Sequence, residues 1–588
     1  MADSEKAPAP TTVADMLIRS LADLGVRTAW GVVGDALNPI TDAIRRTDGI
    51  EWIGVRHEEA GAFAASAQAQ LTGTLGVCMG TVGPGSIHLL NGLYDAKKSH
   101  APVLAICGQV PTEEMGTDMF QEVDHDVLFD DVAVFTRTLS NPDHAPYILE
   151  QAVNAAYARR GVAVLTIPGD VGDMKLEEKR LPHFLEPSTR SVPAPDVVDR
   201  AVELLDGASK PTLLVGLGAR EGREDVLRLA EALQAPMVVT IKAKEGFDHD
   251  NPYQVGQSGL IGNRGAQSAF NDCDLLLMLG TDFPYRDWYP EGVTVIQVDD
   301  DGAHLGRRTP VDLGLVGDAG ITAGLLADRV QSKKASVRTS AATRHLESSR
   351  KTYESWREGQ AKLADPKHDK KVLGALRSKA DNPEGDIRPE LVAATINRLA
   401  APDAIYTADT GMPAVWLSRF IDLGESNRLL GSFNLGSMAN AMPQALGAQA
   451  LDRSRQVIAL CGDGGLTMLL GDLIIAVSYD LPVTFVVFNN RRLGMVKLEM
   501  EQAGLAEFGT QLDNPDLSAV GRSMGLHGVR VEDPDDVEKA IREALDHPGP
   551  ALVDIVTNPN EVSVPPSPTV SQGWGYAIAK VKETLESR

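Results

Sequence analysis

Between Cys461 and Asn490 the sequence reads CGDGGLTMLLGDLIIAVSYDLPVTFVVFNN, and this stretch restricts the fold more than any other part of the chain. The run Gln456 to Leu460 reads as a buried strand, Gly462-Asp463-Gly464-Gly465 as the turn after it, the next segment as a helix, and Pro482 to Phe488 as a second buried strand. Strand, helix and strand in that order form a βαβ unit with parallel strands. Loops at the carboxyl ends of parallel strands open into a common crevice, so Asp463 and Asn490 can share one ligand there. Two hard oxygens beside a glycine-rich turn suit a magnesium ion that carries a diphosphate.

Similar alternation runs along the rest of the chain. At 588 residues and 43% hydrophobic, the chain can bury more than one core, and three domains are expected. Strands near Ala29 to Val33, Val77 to Gly80, Pro102 to Cys107 and Ala163 to Ile167 build a first α/β domain over 1–185. Pro211 to Val215, Met237 to Thr240, Asp274 to Gly280 and Val293 to Val298 build a second over 190–330. The polar stretch 331–387 reads as a linker with a surface helix, and 388–588 as a third domain with strands at Ala404 to Ala408, Val457 to Leu460, Val483 to Phe488 and Leu552 to Val556. The fold class is therefore α/β, with three doubly wound parallel sheets.

The net charge of −25 argues against electrostatic binding of nucleic acid or an anionic membrane. Cys78, Cys107, Cys273 and Cys461 sit in apolar contexts without metal-ligand spacing and read as buried thiols of a reducing compartment. The opening MADSEKAPAPTTVADMLIRS lacks a signal peptide's basic start and apolar run. A cytoplasmic location is expected, with at most peripheral contact at the inner face of the cell membrane. Near the end of the chain, Ile578, Val581 and Leu585 could share one face of a short terminal helix.

The GDG turn followed by Asn489-Asn490 resembles the thiamin diphosphate signature. The resemblance implies that Asp463 and Asn490 ligate magnesium with their side chains and Arg492 with its backbone carbonyl. Far upstream, Val55-Arg56-His57-Glu58-Glu59-Ala60-Gly61-Ala62-Phe63 fits the second family signature. In that family the glutamate at the position of Glu58 hydrogen-bonds a ring nitrogen of the aminopyrimidine and activates the cofactor. By itself, Glu58 reads as a carboxylate stabilised by the first turn of a helix, and the downstream signature is what outweighs that reading.

The order of segments is similar to the three-domain thiamin enzymes of the pyruvate oxidase and acetolactate synthase type, with pyrimidine-binding, central and diphosphate-binding domains. Gly431-Ser432-Phe433-Asn434-Leu435-Gly436-Ser437-Met438-Ala439-Asn440 resembles the cofactor loop of bacterial pyruvate:quinone oxidoreductases. There Gly436, Ser437 and Met438 would contact thiamin diphosphate, Met438 as the apolar prop beneath it. Gly464, Gly465, Leu493, Gly494, Met495 and Val496 would contribute to the same site. Ser258-Gly259-Leu260-Ile261, Thr281-Asp282-Phe283-Pro284-Tyr285 and Asp299 match the flavin-contacting segments of those oxidoreductases, which implies FAD; a carboxylate at Asp299 suits ribose hydroxyls.

Phe120, Gln121, Thr410, Met495 and Glu499 are the candidates for the substrate pocket. Glu58, Gln121 and Glu499 are the catalytic candidates. Glutamate at 499 resembles the oxidoreductases, since synthases carry tryptophan there. Against this, Asp124 stands where the nearest oxidoreductases have histidine, and Leu435 departs from a histidine expected in its loop. The resemblance implies oxidative decarboxylation of pyruvate to acetate or acetyl phosphate, with electrons passing through FAD to quinone or oxygen. An acetolactate synthase-type carboligase and a non-catalytic cofactor-binding scaffold are the alternatives. An active site shared between subunits implies a homodimer or homotetramer.

Overall fold

The computed structural model describes residues 12–176, 181–184, 190–332, 340–365 and 386–561. Three parallel sheets organise them. In spatial order the first holds Glu51–Gly54, Thr28–Gly31, Gly76–Gly80, Val103–Gln109, Val162–Pro168 and Ala133–Thr138. The second holds Leu313–Val316, Thr294–Asp299, Leu275–Leu279, Pro211–Val215 and Met237–Val239. The third holds Arg428–Gly431, Ile405–Ala408, Val457–Gly462, Thr484–Asn489, Ala551–Val556 and His527–Val531. Every pairing is parallel, and the central strands are apolar and fully buried, as sheets covered by helices on both faces require.

Register in the third sheet brings the chemistry together. Ala408 pairs with Leu460, and Gly462 with Phe488, so the three chain segments leaving these strands emerge side by side carrying Asp409, Asp463 and Asn490. The continuous helix expected after the turn is instead broken into Asp463–Met468, a 3₁₀ turn at Leu470–Leu473, and Ile474–Ser478. Gly464, Gly465 and Gly471 account for the weakness of a single long helix there.

The first and third domains share one core. The alanine-rich helix Glu58–Thr72 lies on helix Ala441–Leu451, and Gln68 Nε2 donates to Gly447 O at 3.1 Å, while one apolar cluster runs from Trp30 and Ile53 through to Leu446 and Phe485. Small side chains on both helices permit that close approach. Helix Ser340–Leu363 is more than the surface element its polar sequence suggests. It buries Ala342, His345, Ser349 and Tyr353, and Tyr353 packs in the core formed with Phe270 of helix Arg264–Asp272. Its apolar stripe is narrow, which hid it among charges. Among the described residues, no helix is long and apolar enough to cross a membrane. The expected terminal helix with Ile578, Val581 and Leu585 lies outside them.

Candidate active site

The residues singled out in the sequence gather in two halves and a flank. The first half lies on the third domain. Thr410, Met438, Asp463, Gly464, Gly465, Asn490, Arg492, Leu493, Gly494, Met495 and Val496 all border one cavity at the strand ends. Asp463 is buried and accepts from Asn514 Nδ2 at 2.7 Å; Asn490 Oδ1 accepts the backbone N–H of Arg492 at 3.0 Å. Burial pushes the Asp463 carboxyl up to about 6, outweighing the hydrogen bonds from Asn514 and backbone N–H groups that favour its charge. A Cβ on Gly464 would lie 2.9 Å from Leu493 Cδ2 and 3.2 Å from Met438 Cε, so only glycine leaves the turn room beneath these two side chains. A buried carboxylate and a carboxamide at one end, with apolar Met438, Leu493 and Met495 along the walls, fit a magnesium diphosphate with an attached ring system.

Ser437, by contrast, turns toward the first domain: its Oγ accepts from Asn91 Nδ2 at 2.8 Å, and its backbone N–H donates to Ser432 Oγ. Gly436 adopts φ +79 with open space beside it.

The second half lies on the first domain. Glu58 opens helix Glu58–Thr72 and is 6% exposed. Its Oε2 sits 2.9 Å from His88 Nδ1, and the His57 and His88 rings stack with centroids 4.4 Å apart. Gln121 holds the left-handed φ of +70, and its carbonyl oxygen would stand 2.7 Å from a Cβ on Gly83, in the Thr81-to-Gly85 turn that also meets Glu58. A non-glycine residue held there is a strain that surroundings must enforce. Phe120 beside it is 79% exposed. Among the described residues, those lining the Asp463 cavity come from positions 389–561, and Glu58, Phe120 and Gln121 are not among them.

The flank is the central domain. Gly259, at φ +93, packs so closely that a Cβ would lie 2.7 Å from the Tyr285 ring and 3.2 Å from Phe283. Ser258 Oγ is buried without a hydrogen-bond partner, a group that an incoming ligand could satisfy. Thr281 Oγ1 accepts the Phe283 N–H at 3.2 Å, Pro284 is exposed, and Leu260 and Ile261 are half-buried. Asp299 ends its strand; its Oδ1 accepts the Asp301 N–H at 3.1 Å and faces His304 Nδ1 at 3.2 Å. Asp282 also makes contacts that its motif does not foretell. Its carboxylate accepts from Asn434 Nδ2 at 2.6 Å and faces His100, tying all three domains together. Burial opposes its charge, but the His100 hydrogen bond and the Lys242 charge prevail and hold it at about 2.

Glu499 follows the cavity-lining turn in the chain. It lies on helix Gly494–Gln502, whose first residues Gly494 and Met495 line the cavity, while its charge reaches Tyr285, whose phenol is pushed up by burial and then by Glu499. Four residues that no motif flagged complete the picture: His88, Asp409, Asp472 and Asn514. Asp409 is fully buried and accepts the N–H groups of Ala441 and Gly462 at 3.0 Å each, bracing two walls of the cavity. Its position directly after a buried strand, in Asp409-Thr410-Gly411, was the available signal.

Comparison with known proteins agrees with this geometry. Residues 11–128 match the thiamine pyrophosphate enzyme N-terminal TPP binding domain, 198–326 the central domain, and 409–555 the C-terminal TPP binding domain. The chain is 35% identical to the thiamine pyrophosphate-containing protein YdaP of Bacillus subtilis (strain 168), covering 98% of this chain and 97% of that one. It is 34% identical to a pyruvate oxidase of Lactiplantibacillus plantarum, over 92% of this chain and 87% of the relative. It is 31% identical to an acetolactate synthase large subunit of Parasynechococcus marenigrum, over 96% and 90%. The fold and site define a thiamin-dependent α/β enzyme. The chain belongs to the thiamine pyrophosphate enzyme family.

Proposed function

We propose that this protein is a thiamin diphosphate- and FAD-dependent oxidoreductase that oxidatively decarboxylates pyruvate to acetate or acetyl phosphate and carbon dioxide, passing electrons through FAD to quinone or oxygen. The observation that carries the reading is that Glu499 lies on the helix whose first turn lines the cavity, with its charge felt at Tyr285 of the flavin-like flank. A carboxylate there suits a site in which a small acid is decarboxylated beside a flavin. A tryptophan would fill that space to shape a second 2-oxo acid site.

Asp463, Asn490 and the Arg492 carbonyl would hold magnesium and, through it, the diphosphate. Met438, Leu493 and Met495 would support the ring system in a dry wall that strengthens electrostatic contacts. Bound thiamin diphosphate supplies the electron sink for loss of carbon dioxide, and FAD accepts two electrons. Glu58 holds a proton at the pyrimidine ring, Gln121 donates a hydrogen bond to the substrate carboxylate, and Phe120 and Thr410 bound the pocket. Since the cavity around Asp463 is lined by the third domain without Glu58, a second copy would bring Glu58 to each cavity, in a homodimer or homotetramer.

Anaerobic addition of pyruvate to the protein loaded with thiamin diphosphate, magnesium and FAD tests the reading. Bleaching of flavin absorbance near ~450 nm supports it, because the redox chemistry reports on the cofactor. Carbon dioxide release with an unchanged spectrum favours the carboligase reading, which Asp124 and the synthase relatives support.

A further inference from the structure

The strongest group of chemistry-bearing side chains not yet given a role surrounds Glu58. His57, Glu58 and His88 bring their ligand-type atoms within 4.8 Å of one another, and the arrangement is directional. His88 Nδ1 lies 2.9 Å from Glu58 Oε2. Glu58 Oε1 lies elsewhere, 3.0 Å from where a Cβ would stand on Gly85, beside Thr81. Thr81 Oγ1 is buried without a hydrogen-bond partner. One carboxylate oxygen is therefore held, and the other faces a glycine that leaves it room.

The ring doing the holding is itself fixed. His57 stacks on it at 4.4 Å and 23°, and His57 Nδ1 accepts the Glu59 N–H at 3.3 Å as the cap of helix Glu58–Thr72. With the acidic proton on Oε1, or with none, Oε2 can only accept, so in this role His88 Nδ1 would carry the proton and donate. A charge-assisted bond of this kind orients a buried carboxylate more strongly than a neutral one would. Its consequence is a preference between two otherwise equivalent oxygens. Oε2 stays an acceptor from His88, whichever way the proton on the other oxygen moves.

We propose that His88 is the positioning residue of Glu58: its Nδ1–H fixes Oε2 and so presents Oε1 to the pyrimidine ring nitrogen of the cofactor. The proposal rests on the assignment of Glu58 as the cofactor-activating acid. His88 touches neither substrate nor cofactor in this role and acts through Glu58 alone. Asparagine at 88 places an amide N–H close to where Nδ1 stands, whereas phenylalanine keeps the ring and the stack on His57 but removes the donor.

The test is the rate of deuterium exchange at the thiazolium C2 position of bound thiamin diphosphate, read by NMR after acid quench without substrate, together with cofactor affinity from fluorescence quenching. His88→Phe is expected to slow exchange about ten- to a hundredfold while leaving affinity nearly unchanged, and His88→Asn to recover most of the rate. Glu58→Gln is the reference. If Glu58→Gln slows exchange and His88→Phe does not, the positioning role fails and the Glu58 assignment stands. If Glu58→Gln exchanges at the parental rate, the Glu58 assignment fails and the positioning role with it. If His88→Asn is as slow as His88→Phe, the hydrogen bond is not the operative contact and the proposal is overturned.

Discussion

Asp472 accepts the backbone N–H of Arg56 at 2.7 Å, joining positions 416 residues apart in the chain. The same oxygen faces the His57 N–H at 3.4 Å, and Tyr479 Oη accepts the Gly54 N–H at 2.7 Å. Two side chains of the third domain thus fasten the segment that delivers Glu58. These bonds add to the core that the first and third domains share within one chain.

Asp472→Ala would remove the acceptor of the half-buried Arg56 N–H, at a cost of about 1 kcal/mol. We expect a lower Tm and a fall in kcat, with cofactor still bound. Asp472→Asn keeps an acceptor and should recover most of both. Calorimetry and steady-state kinetics on the two variants check this; equal damage from Ala and Asn would mean that the charge, not the acceptor, matters.

Metal binding should carry a pH signature. Burial pushes Asp463 up to about 6 and Asp409 up to about 7, from an ordinary 3.8. The folded chain therefore binds these protons more tightly than the unfolded chain does. Stability of the metal-free protein from these groups is fully present below about pH 4 and is lost as pH rises toward about 7. Magnesium needs Asp463 ionised, so its affinity climbs through pH 6. The rise in Tm on adding magnesium and thiamin diphosphate should be larger at pH 8 than at pH 5.5. An equal rise at both would contradict the metal role of Asp463, and Asp463→Ala should abolish the rise.

Gly259 should report on flavin. Alanine there must adopt φ +93 and place a methyl 2.7 Å from the Tyr285 ring. Strain of that kind costs about 1–3 kcal/mol, so FAD affinity should fall about tenfold or more. The flavin-to-protein absorbance ratio after gel filtration measures it. Full flavin retention in Gly259→Ala would remove Ser258 and Gly259 from the proposed flavin site.

Much of this arrangement was legible because buried parallel strands are uniformly apolar. Five strands escaped sequence reading: Glu51–Gly54, Ala133–Thr138, Leu313–Val316, Arg428–Gly431 and His527–Val531. All five are sheet edges. An edge strand is covered on fewer sides, and Ala133–Thr138 accordingly has no fully buried residue. The Asp463 and Asn490 pair was readable because strand ends in a βαβ unit converge. Asp472, His88 and Asn514 were not, because each acts through a contact set by tertiary packing: Asn514, for instance, donates to Asp463 from 51 positions away. Nor could the flavin-like motif show that the Asp282 carboxylate meets Asn434, 152 positions away, and His100, partners that lie in the other two domains.

Glu499 offers the sharpest division between the two proposed chemistries. It is exposed on the single chain, on a helix anchored by buried Lys497, Leu498 and Glu501. Replacing it with tryptophan changes the exposed face and leaves those anchors in place, so the fold should survive. If Glu499 borders the site where pyruvate meets the flavin, Glu499→Trp should slow anaerobic flavin reduction by about tenfold or more, equivalent to about 1.4 kcal/mol of barrier or more. A bulky apolar surface there should also admit a second 2-oxo acid, and acetolactate should appear among the products. Stopped-flow absorbance and a colorimetric acetolactate assay read the two effects separately. Unchanged flavin reduction in Glu499→Trp would place Glu499 outside the substrate pocket; acetolactate as the main product of the parent protein would instead make it a synthase that carries glutamate where its class carries tryptophan.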